Sequence, residues 1–343
     1  MTIRGGRTSL IRIIAIGLMV AAWSVAGALP IAAQTLVDHD AKTYPNRAIR
    51  IVVPFPPGGP ADLIARFVGQ KLSEDWTQPV VIENRAGGNT APAAQAVARS
   101  TPDGYTLFVP MDTTLVMNPF VMPNLPYDPL KDFALITLLT KNMSLIVTRA
   151  SDGPKTIGEL VGKAKANPGK LNVGAGTITS RLGAILFTKS AGIDVQLIPF
   201  KGSAEIGQAV LAGTVDFALD SIGTSLPLIQ GGHYRALAKY SDRPLPQFPE
   251  LPALSVAAGL PGLDESSTWI GLAAPAGTPP AIVDKIHRKI VSLYADPTIN
   301  DRLEKAGISP ISATPAEFDA FVRSETMRWS KVFQENSHLK LGD

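Results

Sequence analysis

The sequence of 343 residues contains no cysteine and only four histidines. Without thiols the chain forms no disulfide bond, no thiolate metal cluster and no lipoprotein anchor. The histidines are isolated, so none pairs with a second ligand at the spacing of a metal site. A Walker phosphate loop and a G-x-S-x-G nucleophile elbow are also missing. The sequence therefore gives no support for an enzyme, without excluding one, and we expect no catalytic residue and no metal.

The positive net charge of the chain lies in its first 33 residues, and the remaining residues are formally neutral. The chain has 32 basic and 29 acidic residues, which give a formal net charge of +3. Arg4, Arg7 and Arg12 lie in the first 33 residues, which hold no acid, so the rest of the chain carries equal numbers of each sign. This balance gives no argument for binding to nucleic acid or to an anionic membrane surface.

The N-terminal segment predicts export from the cytoplasm. Three arginines precede an apolar run over residues 13–25, and small residues follow. This order is typical of a cleaved signal peptide over residues 1–33, with the mature protein beginning near Gln34. The alternative is a retained membrane anchor, because residues 13–33 carry no charge and are about long enough to span a bilayer.

From Tyr44 onward, apolar runs rich in β-branched residues alternate with amphipathic stretches, as in parallel sheets crossed by helices. We predict an α/β protein of two lobes that hinge around a ligand cleft. Lobe 1 is assigned residues 44–147 and 270–343, and lobe 2 is assigned residues 148–269. The alternation is predicted over 49–53, 61–72, 80–82, 91–99, 106–109, 144–148, 157–166, 171–174, 180–191, 195–199, 205–212, 215–219, 226–230, 236–240 and 269–274, followed by helices over 280–295, 298–305 and 315–336. The segment 243–261 is expected to be irregular.

The first candidate site is the loop between the first strand and the first helix, Pro54-Phe55-Pro56-Pro57-Gly58-Gly59-Pro60-Ala61-Asp62. Ligands of open α/β sheets bind at the carboxyl ends of strands, and a helix N-terminus offers unpaired N–H groups to an anion. The glycines would let a carboxylate approach the backbone. The alternative is a rigid turn in which Asp62 caps or charges the first helical turn.

The second candidate site is the loop Gly174-Ala175-Gly176-Thr177-Ile178-Thr179-Ser180-Arg181, which also follows a strand and precedes a helix. The hydroxyls of Thr177, Thr179 and Ser180 can donate to an anion, and Arg181 can clamp a carboxylate. The glycine spacing does not match a dinucleotide fingerprint. The alternative is an exposed capping loop with Arg181 in water.

Weaker candidates follow two further strands. Lys201 and Ser203 lie between a strand and a helix, and Lys201 taken alone resembles an ordinary surface charge. Asp216 and Asp220 flank a short strand, and Asp220, at the carboxyl end, is the better candidate to face a cleft. Either aspartate can instead cap a helix or lie in solvent.

A series of motifs after Tyr44 resembles the Bug family of extracytoplasmic solute receptors, the substrate-binding components of tripartite tricarboxylate transporters. Each motif is weak alone, but together and in this order they are specific. The motifs are Tyr44-Pro45, Ile49 to Asp62 with Arg66, Glu83-Asn84-Arg85-Ala86-Gly87-Gly88, Pro102-Asp103-Gly104-Tyr105-Thr106, Leu125-Pro126-Tyr127-Asp128-Pro129 with Lys131-Asp132-Phe133, Pro199-Phe200-Lys201-Gly202, Arg235-Ala236-Leu237-Ala238, Trp269-Ile270-Gly271 and Ala274-Pro275-Ala276-Gly277-Thr278-Pro279.

The resemblance implies a two-lobe periplasmic binding protein of the type II-like, Venus-flytrap class, without a cofactor. It also implies capture of a small carboxylate, such as an amino acid, an aromatic acid or a di- or tricarboxylate, and its delivery to a membrane permease. We expect a monomer. The alternatives are a sensor that presents its ligand to a membrane signalling partner, and a secreted hydrolase or isomerase with Asp62 or Asp220 as base.

The resemblance further implies how the two loops share the ligand. The family's first loop matches Phe55 to Asp62, and its second loop matches Gly174 to Arg181, where this sequence is about two residues shorter than the family pattern. Amides at Gly58 and Gly59 are expected to hold one carboxylate, while the second loop reaches across from the other lobe. The expected ligand contacts are Phe55, Pro57, Gly58, Gly59, Asp62, Thr177, Thr179, Ser180, Arg181, Lys201, Ser203 and Asp220.

Overall fold

The structure is a computed structural model that describes residues 41–242, 244–260 and 268–335. The predicted signal peptide lies outside the described residues, as do residues 336–343. None of the helices in the described ranges is long and apolar enough to cross a membrane.

The first sheet is built around β1 (Ile49–Val53), an almost wholly apolar strand that is buried along nearly its whole length. It pairs in parallel with β2 (Val80–Asn84) and β3 (Thr106–Phe108). Strand β10 (Thr268–Pro275) runs antiparallel to β3 and to β4 (Phe133–Asn142). The resulting strand order is β2-β1-β3-β10-β4.

The second sheet repeats this plan. Strand β6 (Asn172–Ala175) pairs in parallel with β7 (Gln196–Pro199) and β8 (Phe217–Ser221). Strand β5 (Ser144–Arg149) runs antiparallel to β8 and to β9 (Tyr234–Lys239). The strand order is β7-β6-β8-β5-β9. In each sheet one strand is antiparallel to its neighbours: β10 in the first sheet and β5 in the second.

Helices flank both sheets, and several begin or end at residues whose chemistry explains the boundary. The Thr156 hydroxyl accepts the Glu159 N–H at the start of one helix, and Gly213, with φ of 76°, ends another. The helices are α1 (Pro60–Trp76), α2 (Ala91–Ala98), α3 (Asn118–Val121), α4 (Ile157–Ala166), α5 (Ile178–Ser190), α6 (Ser203–Ala212), α7 (Ile222–Gln230), α8 (Leu254–Ala258), α9 (Pro280–Tyr294), α10 (Pro297–Lys305) and α11 (Pro315–Glu335). A single 3₁₀ turn (Gly88–Thr90) and a π-helix (Thr113–Met117) complete the described elements.

The chain crosses from the first sheet to the second at Met143, the one residue between β4 and β5. The predicted lobe boundary after residue 147 falls inside β5, whose pairing with β8 and β9 assigns residues 144–147 to the second sheet. Several elements were not predicted. They are strand β4, helix α3, the π-helix, the 3₁₀ turn, and helix α8 within the segment expected to be irregular. We call the first sheet with α1–α3 and α9–α11 lobe 1, and the second sheet with α4–α8 lobe 2.

The lobes touch each other through buried side chains of α5. Ile178 and Leu182, which belong to lobe 2, lie in one hydrophobic cluster with Leu115 and Trp269 of lobe 1. Leu182 has no exposed surface. Each lobe also has its own core, and the lobes bury apolar surface against each other at α5.

Candidate functional site

A cavity lies between the two lobes, where four strand-to-helix loops meet. Its empty space is about 640 Å³, including the part that opens to solvent. The loops are those from β1 to α1, from β6 to α5, from β7 to α6 and from β8 to α7. The lining residues are Phe55, Pro56, Pro57, Gly59, Pro60, Ala61, Met111, Ser144, Gly176, Thr177, Ser180, Gly202, Ser203, Ala204, Glu205, Ile206, Leu219, Asp220, Ser221 and Thr268.

Four helix N-termini therefore reach this cavity. The first N–H groups of a helix have no intrahelical partner, and the helix dipole gives that end a partial positive charge. Gly59 and Gly202, the N-caps of α1 and α6, have no side chain, and Ser221 makes no side-chain cap at α7. Three of the four helices thus leave their first amides without a side-chain acceptor, and such amides bind carboxylates and phosphates.

The first loop is held in shape by Asp62, which does not line the cavity. Its Oδ2 accepts the Gly58 N–H at 2.9 Å and the Arg66 Nε–H at 2.9 Å. Its Oδ1 accepts Asn84 Nδ2–H at 2.9 Å, and the same nitrogen donates to the Phe55 carbonyl at 3.0 Å. Burial opposes ionisation, but the bonds from Arg66, Gly58 and Asn84 prevail and hold the pKa of Asp62 below its usual range.

In the second loop, two of the four expected contacts line the cavity. Thr177 and Ser180 form a reciprocal capping box in which the Thr177 N–H donates to Ser180 Oγ at 2.9 Å and the Ser180 N–H to Thr177 Oγ1 at 3.1 Å. Thr179 points elsewhere, because its hydroxyl donates to Asp112 of lobe 1. Arg181 does not line the cavity; burial lowers its pKa, and its Nε has no hydrogen-bond partner among the described residues.

The third and fourth loops bring Ser203 and Asp220 to the cavity, but not Lys201. Lys201 is exposed, and its backbone N–H donates to Glu205 Oε2 at 3.0 Å. Asp220 is 3% exposed, and its Oδ2 accepts the hydroxyls of Thr224 at 3.1 Å and Ser225 at 2.9 Å. Burial raises the pKa of Asp220, although hydrogen bonds from Ser203, Ser225 and Thr224 oppose the rise.

Among the twelve expected contacts, seven therefore line the cavity: Phe55, Pro57, Gly59, Thr177, Ser180, Ser203 and Asp220. The other five, Gly58, Asp62, Thr179, Arg181 and Lys201, do not. Sequence reasoning missed Met111, Ser144 and Thr268. Ser144 and Thr268 begin β5 and β10, the strands that follow the crossings, and a search for small polar residues at crossings would have found them.

The charged lining side chains are both acidic, Glu205 and Asp220. No lysine or arginine is among the described lining residues, so the positive charge at the lining is the partial charge of the helix N-termini. Within the described ranges no group of three or more His, Cys, Asp or Glu side chains is arranged to hold a metal ion.

The fold and the amide-rich cavity between the lobes define a two-lobe solute-binding protein. The tripartite tricarboxylate transporter family receptors (TctC) match residues 64–338, and the chain belongs to this family. Protein BugT of Bordetella pertussis (strain Tohama I) is 31% identical over 298 residues, which cover 86% of this chain and 91% of BugT. The predicted resemblance to Bug receptors is thus confirmed.

Solved structures show the same fold. Periplasmic binding protein BugD has a TM-score of 0.79 and 29% identity, covering 85% of this chain and 98% of its own. Rpa4515 of R. palustris, solved with adipate, has a TM-score of 0.82 and 30% identity, with 85% and 97% covered. MatC (Rpa3494) from Rhodopseudomonas palustris, with bound malate, has a TM-score of 0.78 and 31% identity, with 84% and 99% covered. The predicted two-lobe periplasmic-binding-protein fold is confirmed.

Proposed function

We propose that this protein is a periplasmic receptor that closes its two lobes on a small organic anion and carries out no chemistry on it. The ligand carboxylate lies against the helix N-termini that line the cavity, and the closed protein delivers its ligand to the permease of a tripartite tricarboxylate transporter. The observation that carries the proposal is the meeting of four helix N-termini at one cavity between the lobes.

Two further observations support it. The related structures of Rpa4515 and MatC contain adipate and malate, and both ligands are carboxylates. The N-terminal sequence has the order of a signal peptide, which favours export to the periplasm. Closure on a ligand that both lobes contact is a population shift, because the closed form alone makes all of these contacts. The protein acts as a monomer.

Isothermal titration calorimetry of the purified protein with a panel of mono-, di- and tricarboxylates and amino acids tests the proposal. At least one carboxylate is expected to bind more tightly than about 1 mM, or roughly −4 kcal/mol, while its uncharged amide analogue binds far more weakly. A panel in which no carboxylate reaches that affinity contradicts the proposal.

A pair of glycine variants locates the binding. A Cβ at Gly202 lies 3.4 Å from Pro56 Cδ across the cavity mouth, whereas a Cβ at Gly162 on α4 meets nothing within 4 Å. Gly202→Phe is therefore expected to fill the gap between the lobes and abolish binding, while Gly162→Phe keeps the wild-type affinity. Equal affinity in both variants would show that the ligand binds outside this cavity.

A further inference from the structure

We propose that Asp220 makes the cavity selective for a carboxylate that also carries a protonated amine. The side chain accepts a hydrogen bond from the ammonium group while helix N-termini hold the carboxylate. This inference rests on the proposed function and names the ligand class of the same cavity. The sequence alone predicts Asp220 as a ligand contact but assigns it no particular group of the ligand; the residue lies one position before the end of β8.

The first argument is charge. Glu205 and Asp220 are the charged side chains of the described lining, and no lysine, arginine or histidine accompanies them. Lys201 and Arg181, the cations expected at the ligand, do not line the cavity. A dicarboxylate would bring two negative charges beside two acidic groups, with only peptide dipoles as compensation. A zwitterionic ligand matches both kinds of charge in the cavity, because the helix amides attract its carboxylate and Asp220 attracts its ammonium group.

The second argument is an unused acceptor. Asp220 is only 3% exposed. Its Oδ1 has no hydrogen-bond partner among the described residues. The neighbouring Ser221 Oγ is also buried without a partner, and both residues line the cavity. A buried carboxylate oxygen without a donor is costly, so its persistence at a ligand cavity indicates a donor supplied by the ligand.

The geometry of β8 separates this aspartate from an ordinary structural one. Asp216, just before the same strand, accepts the Asn172 N–H at 3.0 Å and pairs with Lys163 at 3.0 Å, so its oxygens have partners. At the other end of the strand, Asp220 Oδ2 accepts the hydroxyls of Thr224 and Ser225, and a hydrogen bond from Ser203 also acts on this carboxyl group. Its Oδ1 has no hydrogen-bond partner among the described residues. An ammonium group has three N–H donors and can serve both Asp220 Oδ1 and Ser221 Oγ.

Calorimetry with matched ligand pairs tests the inference without any variant. The pairs are alanine and propionate, leucine and 4-methylpentanoate, glutamate and glutarate, and phenylalanine and 3-phenylpropionate. For the pair whose side chain fits, the amino acid is expected to bind at least about tenfold more tightly, as for a hydrogen bond to a charged group. Equal or tighter binding of the amine-free partner overturns the inference and leaves the proposed function intact. A failure of all eight ligands to bind also overturns the inference, and the wider carboxylate panel then decides the proposed function.

Asp220→Asn, which keeps the size of the side chain, gives the second readout. The variant is expected to lose about 10- to 100-fold in affinity for the amino acid and to bind the amine-free partner as wild type does, or better. Asp216→Asn is the matched control and should leave both affinities unchanged, since Asp216 does not line the cavity. An equal loss for both members of a pair in Asp220→Asn would assign Asp220 a structural role only.

Discussion

Asp62 lies in the first turn of α1 and Asp220 lies near the end of β8, and their surroundings shift their pKa values in opposite directions. Asp62 accepts hydrogen bonds from a backbone amide, a guanidinium and a side-chain amide, and these keep it ionised. Asp220 has one oxygen bonded to hydroxyls and one without a partner. The first aspartate therefore shapes its loop, while the second retains a free acceptor at the cavity.

The Asp62→Ala variant is expected to lose about 2 to 3 kcal/mol of unfolding free energy at pH 7, because charge-assisted hydrogen bonds to a buried carboxylate are lost. The pKa of Asp62 is lowered by folding, so this stability is present above the unfolded-state value of about 4 and is lost as the pH falls through the lowered folded-state value. Urea unfolding of both proteins at pH 7 and in acid measures the difference.

The matched control is Asp319→Ala, which removes the aspartate of another i,i+4 pair, with Arg323 at 2.7 Å. Both of those side chains are exposed, so a much smaller loss is expected. If the two variants lose equal stability, or if the Asp62 difference is the same in acid as at pH 7, the structural role assigned to Asp62 is wrong.

Which residue of a predicted loop lines the cavity was harder to infer than which loop does. Ser180 lines it and Arg181 does not, because successive helical residues are about 100° apart around the axis. Thr179 likewise turns toward Asp112. The sequence identifies the strand-to-helix loops through glycine and hydroxyl residues, but the phase of each helix depends on packing between the lobes.

At the scale of elements, the helix N-termini at the cavity differ in how they are capped. Helix α5 has the reciprocal capping box of Thr177 and Ser180, whereas α1, α6 and α7 have no side-chain cap. The box fixes the direction in which α5 presents its first amides. The three uncapped helices leave their first amides without a side-chain acceptor.

Thr177→Ala tests this difference. Loss of the N-cap is expected to cost about 1 kcal/mol of unfolding free energy, within the range of 0.5 to 2 kcal/mol typical of caps, and to weaken ligand binding because the start of α5 loosens at the cavity. Urea unfolding and calorimetry measure the two effects.

Thr156→Ala provides the control, since Thr156 caps α4 by accepting the Glu159 N–H at 3.0 Å and does not line the cavity. It should cost similar stability with no change in affinity. Unchanged binding in Thr177→Ala, or equal weakening of binding in both variants, would show that the α5 cap has no specific role in ligand binding.

The alternation of strands and helices was visible in the sequence because buried parallel strands are short apolar runs between amphipathic stretches. Strand β4 was not predicted from this pattern. Its sequence FALITLLTKN is a long, mostly buried apolar run without alternation, and such a run suits a buried helix as well as a strand. Helix α8 has only five residues, too few for a helical period to appear in the sequence.

At the scale of the whole molecule, side chains of the two lobes meet outside the cavity as well. Thr179 donates to Asp112, a residue that is 1% exposed. Gln247 Nε2 of lobe 2 donates to the Glu304 carbonyl of lobe 1 at 2.5 Å. Burial raises the pKa of Asp112 to about 7. Hydrogen bonds from the Thr179 hydroxyl and the Thr113 N–H lower this pKa, the negative charge of Glu325 raises it further, and the positive charge of Arg328 lowers it.

The Asp112→Asn variant is expected to change the pH dependence of stability. A carboxyl group whose folded-state pKa is raised binds a proton in the native state that the unfolded chain has released, so unfolding free energy falls as the pH rises from about 4 to about 7. Wild type should therefore lose on the order of 2 kcal/mol relative to Asp112→Asn between pH 5 and pH 8.

Urea unfolding of both proteins at several pH values measures this difference, and all other titrating groups cancel in the comparison. Asparagine still accepts the Thr179 hydroxyl, so the contact between the lobes is kept. Parallel pH profiles of the two proteins would show that Asp112 does not titrate in this range.

Ser144 and Thr268 stand where the polypeptide enters one sheet and re-enters the other, and both line the cavity. Under the proposed function, a bound solute would contact the two strands that begin at the crossings between the lobes. Rotation of one lobe about these crossings would displace its outer edge further than the residues at the cavity. A membrane partner that contacts that edge would sense occupancy without touching the solute.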